Sequence, residues 1–374
     1  MKIGVAKEIK KHEYRVAMTP ACVKAYVSQG HSVTVESGAG DGTGYGDSEY
    51  QAAGARISRD KRRLFKWGEM IVKVKEPLPS EYNLFHEGQI LYTYLHLAAD
   101  KKLTQTLLRK KIIAIAYETI QASDSSLPCL QPMSEIAGRL AVQEGAKYLE
   151  KAFGGRGILL GGVPGVKRGN VAILGGGVVG LNAAKIAVGI GAHVSILDIS
   201  QKRLAYLDDI FGSSIQTLFS NPSNIEACLK ECDLLIGAVL LPGAKSPKLV
   251  THSDLSLMKP GAVIVDVAVD QGGCVETTKP TTHDKPIYKV NGIVHYCVAN
   301  MPGAVALTST LALTNQTVYY GLRLAGSAFK EAILTNPELK PGLNLYRGHV
   351  TNQAVAESLN LPYTPITDEL IAGN

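Results

Sequence analysis

The sequence predicts an α/β protein made of two doubly wound domains, one inserted into the other, with a cleft between them. The chain has 374 residues and is 45% hydrophobic, which is sufficient for two sizeable cores. Short apolar runs alternate with helical stretches, as they do where helices cover a parallel sheet. A glycine-rich turn between an apolar strand and an apolar helix marks the inserted domain.

The first domain is predicted to start at the N-terminus and to continue to residue 128. Its predicted strands are the apolar runs 3–6, 33–36, 70–74, 90–94 and 112–116. A helix near 303–328 is predicted to lead the chain back, so that residues 305–374 complete this domain. The threonine, asparagine and glutamine content of that helix makes it too polar for a membrane span.

The second domain is predicted to occupy residues 129–304. Pro128 and Pro132 interrupt the pattern, and Ser134 is predicted to cap the N-terminus of a helix that continues to about residue 153. Strands are predicted to follow at 171–174, 193–197, 215–218, 234–239, 262–267 and 293–297, forming a second doubly wound sheet.

Residues 170–198 contain a motif typical of dinucleotide binding. Gly175, Gly177 and Gly180 fill the three places of G-x-G-x-x-G between an apolar strand and a helix. The first glycine permits the tight turn, the second lets the backbone approach a phosphate, and the third lets the helix pack on the strand. A pyrophosphate would meet free N–H groups and the positive end of the helix dipole. The motif predicts a Rossmann-like domain in an enzyme that uses a nicotinamide or flavin cofactor.

Asp198 ends the second strand of this motif and bears on the choice of cofactor. A carboxylate accepts hydrogen bonds from a ribose 2′-hydroxyl but repels a 2′-phosphate, so the sequence favours NAD over NADP. Arg203 has two possible roles. Its positive charge could reduce the repulsion of a 2′-phosphate by Asp198, or it could be an ordinary solvated surface charge. A second glycine-rich stretch, 38–46, lacks apolar flanks and is predicted to be a loop.

Charge and cysteine content argue against several classes of protein. The net charge is +6, but the basic residues form short clusters without interleaved aromatics, so we do not expect nucleic acid binding. The six cysteines show no C-x-x-C pair, so no metal site and a reducing compartment are predicted. No signal peptide or membrane segment is evident. We therefore expect a cytoplasmic protein with small-molecule partners.

Three basic side chains follow predicted strands of the first domain. Arg15, Lys75 and His96 occupy positions at which ligands bind in α/β sheets, although each alone is also compatible with an ordinary strand end. Together they suit an α-amino or α-keto acid. Arginine grips a carboxylate, lysine polarises a carbonyl, and histidine moves a proton near neutral pH.

These residues and most of the chain resemble the alanine dehydrogenase family, which includes domain I of transhydrogenase. The resemblance extends over the segments 4–8, 13–16, 73–77, 132–138, 265–274 and 298–303, the stretch ending at His96, and the glycine turn. It implies reversible, NAD-dependent oxidative deamination of L-alanine to pyruvate and ammonium, by hydride transfer and a carbinolamine intermediate. It also implies an oxidoreductase that assembles as a homohexamer.

The resemblance further implies a role for individual residues. Arg15 and Lys75 would bind substrate, and His96 and Asp270 would be catalytic. The NAD site would be lined by residues of the second domain, with Lys279 at a position where the family is expected to have arginine: Ser134, Gly175, Gly177, Val178, Val179, Gly180, Asp198, Arg203, Ser220, Val239, Leu240, Val267, Ala268, Val269, Asp270, Lys279, Val298, Ala299, Asn300 and Met301.

Three alternatives remain compatible with the sequence. The chain is also similar to the NAD-binding subunit of proton-pumping transhydrogenase, although the set Arg15, Lys75, His96 and Asp270 favours an amino-acid dehydrogenase. A saccharopine dehydrogenase-like enzyme would need a pocket for a longer substrate. A non-catalytic NAD-binding role is the third.

Overall fold

A computed structural model of the chain describes residues 1–239, 246–326 and 329–372. It consists of two compact units. The first comprises Met1–Met133 and Val305–Asn374, and the second comprises Ser134–Ala304. No helix in the described ranges is both long enough and apolar enough to cross a membrane.

The strands and helices alternate along the chain. The strands are β1 (Lys2–Val5), β2 (Ser32–Glu36), β3 (Arg56–Ser58), β4 (Met70–Val72), β5 (Ile90–Thr93), β6 (Ile113–Ala116), β7 (Asn170–Leu174), β8 (His193–Asp198), β9 (Gln216–Phe219), β10 (Leu234–Gly237), β11 (Val263–Asp266), β12 (Ile287–Val290), β13 (Ile293–Tyr296), β14 (Leu343–Tyr346) and β15 (His349–Val350). The α-helices are α1 (Pro20–Ser28), α2 (Asp47–Ala52), α3 (Lys61–Trp67), α4 (Lys101–Arg109), α5 (Gln131–Tyr148), α6 (Val178–Gly189), α7 (Gln201–Phe211), α8 (Pro222–Glu231), α9 (Ala306–Gly326), α10 (Phe329–Leu334), α11 (Gln353–Leu359) and α12 (Asp368–Ala372).

The sheet of the first unit has the order β15-β14-β6-β5-β4-β1-β2-β3. Strands β1 to β6 run parallel, whereas β14 and β15 extend the sheet in antiparallel fashion. Val5 on β1 lies opposite Val35 on β2 and Val72 on β4. The strand order reverses between β1 and β4, and ligands of doubly wound folds bind outside the carboxyl ends of the strands at such a point.

The sheet of the second unit has the order β12-β13-β11-β10-β7-β8-β9. All its strands run parallel except β12, which pairs antiparallel with β13. Leu174 at the end of β7 lies opposite Leu197 on β8 and Gly237 on β10. The reversal of order between β7 and β10 therefore coincides with the glycine turn. Both units are doubly wound, which confirms the two doubly wound folds that the sequence predicts.

Each core lies between its sheet and the helices that cover it. Every residue of β5, β6, β10, β11 and β13 is buried, as expected for parallel strands covered on both faces. In the first unit the rings of Phe65 and Phe85 meet edge to face at 5.0 Å. In the second, Leu174, Leu197 and Ile264 belong to one buried cluster.

The helix that connects the units begins earlier than predicted. It starts at Gln131, so Ser134 lies inside its first turn and does not cap it. A hydrogen-bonded turn over residues 127–131 precedes the helix, and Pro132 is accommodated because a first-turn residue needs no helical N–H partner. The helix ends at Tyr148, and the predicted continuation is a separate 3-10 turn, Lys151–Phe153.

Sequence analysis did not predict several short strands that contain polar residues. Strands β3, β12, β14 and β15 were not predicted, and several predicted strands are one or two residues shorter in the structure. β3 has three residues with none fully buried, and β12 lies at a sheet edge with no fully buried residue. The glycine-rich stretch 38–46 forms turns and a 3-10 turn at Asp41–Thr43.

Candidate active site

The glycine turn of the second unit packs its helix tightly against its strand. Gly175 has φ +98°, and a Cβ added there would lie 2.8 Å from the carbonyl oxygen of Ala238. A Cβ at Gly180 would lie 1.9 Å from the carbonyl oxygen of Gly175. Only glycine fits at both positions, because neither backbone contact can move without separating α6 from the sheet.

Gly177 has the opposite environment. It is the N-cap residue of α6, and among the described residues other than its two chain neighbours no atom lies within 4 Å of a Cβ added to it. Val178, the first helical residue, is 37% exposed, whereas Val179 is buried. The first N–H groups of a helix have no partner inside the helix. The open face at Gly177 therefore fits the pyrophosphate of a dinucleotide.

Asp198 and Arg203 both bind the glycine turn. One carboxylate oxygen of Asp198 accepts the N–H of Gly176 at 2.7 Å, and the other accepts the N–H of Ser200 at 2.8 Å. The guanidinium of Arg203 donates to the carbonyl of Gly176 and, at 3.4 Å, to that of Gly177. Arg203 is thus part of the turn and is not a freely solvated charge. The structure brings both predicted residues to the motif.

Other predicted cofactor residues lie at the carboxyl ends of neighbouring strands. Ser220 follows β9, and its N–H donates to the carbonyl of Asp198 at 3.0 Å. Val239 follows β10, and its carbonyl accepts the Ser246 hydroxyl at 2.8 Å. Leu240 lies outside the described residues. Ser134 is half-buried near the start of α5.

The segment that follows β11 contains four of the predicted residues. Val267 donates its N–H to the carbonyl of Gly237 at 2.9 Å, which fixes the segment beside the end of β10. Ala268 and Val269 are buried, whereas Asp270 is exposed in a 3-10 turn, Val269–Gln271. The buried residues Ala268 and Val269 thus hold the backbone next to Asp270, and Asp270 itself is exposed to solvent.

The last predicted cofactor residues surround the end of β13. Val298 pairs with Thr281, and the N–H of Ala299 donates to the Thr281 carbonyl at 3.2 Å. Asn300 has φ +63°, and Met301 is buried in the 3-10 turn before α9. Lys279 is exposed, with its ammonium 5.0 Å from the centre of the Tyr288 ring.

Arg15 of the first unit is held by a buried ion pair. Its Nε donates to Glu13 at 2.6 Å and its Nη2 at 2.5 Å, while Nη1 lies 3.0 Å from the sulfur of Met133. Both side chains of the pair are almost completely buried. Burial by itself lowers the pKa of Arg15, but the hydrogen bonds and charge of Glu13 outweigh it and raise the pKa. The guanidinium is therefore fixed in position and charged.

Lys75 follows β4 and is half-buried. Burial, and then the positive charge of Arg15, lowers the pKa of Lys75 below its ordinary value of 10.5. The backbone around Lys75 is held by Glu8, whose carboxylate accepts the N–H of Val74 at 2.6 Å and that of Lys75 at 3.3 Å. Lys73, which is fully buried, pairs with Glu8 at 3.2 Å. A buried charge network thus supports this strand end.

His96 follows β5 in a left-handed backbone conformation, with φ +49° and ψ +37°. Its N–H donates to Glu118 at 2.7 Å, and the N–H of Leu95 donates to the same carboxylate at 3.1 Å. The imidazole is exposed and stacks on the buried ring of Tyr94, with centroids 6.1 Å apart and planes at 13°. The structure presents this imidazole to solvent at the sheet edge where Lys75 also lies.

Sequence analysis did not single out the carboxylates that support these residues. Glu8, Glu13 and Glu118 each bind the backbone or the charge of a predicted site residue. Glu8 and Glu13 belong to matched motifs, but no spacing rule indicated their partners. Gly138 was also missed as a packing residue, although a Cβ there would lie 2.2 Å from the carbonyl oxygen of Val179.

Sequence models of protein families identify both halves of the chain. Residues 4–137 match the alanine dehydrogenase/PNT N-terminal domain, and residues 141–353 match the alanine dehydrogenase/PNT C-terminal domain. The chain belongs to the alanine dehydrogenase/PNT family. This confirms the resemblance predicted from the motifs.

Similar proteins cover nearly the whole chain. A protein of Methanococcus maripaludis named alanine dehydrogenase is 59% identical over 366 residues, 98% of each chain. Alanine dehydrogenase 2 of Staphylococcus aureus is 55% identical and covers 99% of this chain and 100% of its own. A solved L-alanine dehydrogenase has a TM-score of 0.94 at 53% identity, covering 96% and 99% of the two chains. Transhydrogenase from Sinorhizobium meliloti has a TM-score of 0.80 at 25% identity, covering 95% and 100%.

Proposed function

We propose that the chain catalyses the reversible oxidative deamination of L-alanine to pyruvate and ammonium, with NAD as cofactor. The observation that carries the proposal is the pair of cations, Arg15 and Lys75, supported by buried carboxylates in a chain that also has a dinucleotide-binding turn. The names of the relatives agree with this chemistry. The chain is an oxidoreductase that acts on a CH–NH2 group.

The glycine turn and Asp198 would hold the cofactor. The N–H groups that begin α6 would bind the pyrophosphate, and the open face at Gly177 leaves room for it. Two backbone N–H groups hold the carboxylate of Asp198 at the end of β8. A carboxylate at this position would repel a 2′-phosphate, which supports NAD rather than NADP. The guanidinium of Arg203 donates to carbonyls of the same turn. This contact gives Arg203 a structural role in the turn, so its presence is not by itself a reason to expect a 2′-phosphate.

Arg15 and Lys75 would bind the substrate. Glu13 binds two nitrogens of Arg15, so the guanidinium is oriented before substrate arrives, and its positive charge would attract the carboxylate of alanine or pyruvate. The ammonium of Lys75 would donate to the carbonyl oxygen of pyruvate and stabilise the negative charge that develops there on amination.

His96 and Asp270 would manage protons and charge. A bound nicotinamide would supply the hydride acceptor for alanine, whose ammonium first loses a proton, so that oxidation at Cα leaves an iminium ion. Asp270 would stabilise this cation and orient a water molecule. His96 would take a proton from the water as it adds to the iminium carbon and would return that proton to nitrogen. Ammonia would then leave as the hydroxyl of the carbinolamine loses its proton to His96 and becomes the carbonyl of pyruvate. An exposed imidazole stacked on Tyr94 can exchange protons with solvent.

Replacing His96 tests this assignment. His96→Ala should abolish turnover while leaving NADH binding intact. His96→Asn should give the same result with less backbone strain, because asparagine tolerates a left-handed conformation. His86→Ala, at an exposed histidine of the same unit, is the matched control. Equal loss of turnover and NADH binding in both His96 variants would contradict the role of His96.

The family resemblance also supports a cytoplasmic homohexamer. Light scattering coupled to gel filtration would measure the mass of the assembly, which should be six times the 39.9 kDa of one chain. A monomer or dimer at micromolar concentration would contradict this part of the proposal.

A further inference from the structure

The loop that presents Asp270 contains two consecutive left-handed glycines. We define this loop, residues 268–274, as the acid loop. Gly272 has φ +92° and Gly273 has φ +73°, and their N–H groups bond back to Val269 and Ala268 at 3.0 Å each. Glycine loses much conformational entropy when its backbone is fixed. The acid loop therefore needs contacts outside itself to hold Asp270 in one place.

A carboxylate anchors the two ends of the acid loop. Asp266, at the end of β11, is buried and accepts the N–H of Ala268 at 3.1 Å and that of Val275 at 3.3 Å. It also accepts the hydroxyl of Thr278 at 2.7 Å. These bonds close the base of the loop, but they do not contact the glycine carbonyls at its far side.

An ammonium group holds that far side. Nζ of Lys248 donates to the carbonyls of Gly272, of Gly273 at 2.9 Å and of Val275 at 3.1 Å. An ammonium has three N–H donors, so all three can be used at once. The backbone beside Lys248 runs along the loop as well, since the N–H of Leu249 donates to the carbonyl of Cys274 at 2.8 Å.

We propose that Lys248 is a positioning residue for the reaction, which acts by fixing the acid loop and thereby the carboxylate of Asp270. The inference rests on the proposed catalytic role of Asp270. Charged hydrogen bonds to backbone carbonyls are stronger than neutral ones. An asparagine or serine at position 248 would not supply three donors at this reach, so a lysine or arginine is required.

Removal of the Lys248 ammonium should lower kcat in a protein that remains folded. Lys248→Met keeps the length of the side chain and loses all three donors, so kcat should fall roughly 10- to 100-fold, as expected when a catalytic group is displaced by about 1 Å. Lys248→Arg should recover most of kcat because it retains charge and donors. Lys259→Met is the control, since Lys259 also donates to a backbone carbonyl, that of Glu231 at 2.6 Å, away from the acid loop.

A double-mutant cycle with Asp270→Asn separates positioning from a merely structural role. If Lys248 acts through Asp270, Lys248→Met should change kcat by less than about twofold in the Asp270→Asn background. Thermal unfolding identifies folded variants, and Lys248→Gln replaces Lys248→Met in the cycle if the latter is unfolded.

The possible results distinguish this inference from the proposed function. Full activity of Asp270→Asn would refute the role of Asp270 itself. A loss of activity in Asp270→Asn, combined with an independent and multiplicative loss from Lys248→Met, would overturn the positioning role alone. An unchanged kcat in Lys248→Met would also overturn it.

Discussion

Replacing the glycines in and next to α6 one at a time should separate cofactor binding from folding. Gly177→Ala places a methyl group in space that no described atom approaches within 4 Å, so the fold should tolerate it at a cost of up to about 1 kcal/mol for a poorer N-cap. The methyl group would instead meet the bound pyrophosphate. Loss of one charge-assisted hydrogen bond costs about 1.5–3 kcal/mol, which corresponds to roughly 10- to 150-fold weaker NADH binding.

Two glycines that lie within α6 provide the comparison. Gly180→Ala forces a Cβ to 1.9 Å from the carbonyl oxygen of Gly175, and should destabilise the protein by about 1–3 kcal/mol or more through overpacking. Gly189→Ala meets nothing within 4 Å and should be neutral or stabilising by up to about 1 kcal/mol.

Urea denaturation and NADH fluorescence titration of the three variants measure both effects. The expected result is weak binding with a normal unfolding midpoint for Gly177→Ala, a lowered midpoint for Gly180→Ala, and neither change for Gly189→Ala. Normal NADH affinity in Gly177→Ala would refute the reasoning, because the pyrophosphate would then lie elsewhere.

Further predictions concern three charged residues. Arg15→Lys keeps the charge but loses the two-pronged contact with Glu13, so urea denaturation should show a loss of about 1–3 kcal/mol and the KM for L-alanine should rise at least about tenfold. Burial, and then the positive charge of Arg15, lowers the pKa of Lys75 in the folded protein. Between that lowered pKa and the ordinary value of 10.5, Lys75 binds more protons in the unfolded chain than in the folded protein. The contribution of Lys75 to stability should therefore increase with pH in that window, and denaturation at several alkaline pH values should show a shallower increase in Lys75→Met. Asp198→Ala should lower kcat/KM for NAD and narrow the preference for NAD over NADP; an unchanged ratio would contradict the role of its carboxylate.

The glycine turn was predictable from sequence because its constraints are local. Gly175, Gly177 and Gly180 lie within six consecutive positions between a strand and a helix, and each restriction follows from the backbone path of that turn. The apolar parallel strands of the two sheets were predictable for a similar reason, since burial on both faces makes their apolar runs continuous.

The supporting carboxylates were not predictable, because their contacts depend on sheet topology. Glu8 binds the backbone N–H of Val74 only because β1 and β4 are neighbours in the sheet. Glu118 meets His96 through the pairing of β5 with β6. The error at Ser134 has a different cause. Pro132 was interpreted as an interruption before the helix, whereas a proline in the first turn is compatible with a helix.

The most direct test of the central claim is the rate of NADH formation after the purified protein is mixed with L-alanine and NAD at alkaline pH. Parallel reactions would contain L-lysine, glycine, D-alanine or NADP in place of the corresponding reactant. We predict rapid NADH formation with L-alanine and NAD and little with the replacements. An absence of turnover despite tight NADH binding would contradict the account and favour a transhydrogenase-like or non-catalytic binding role.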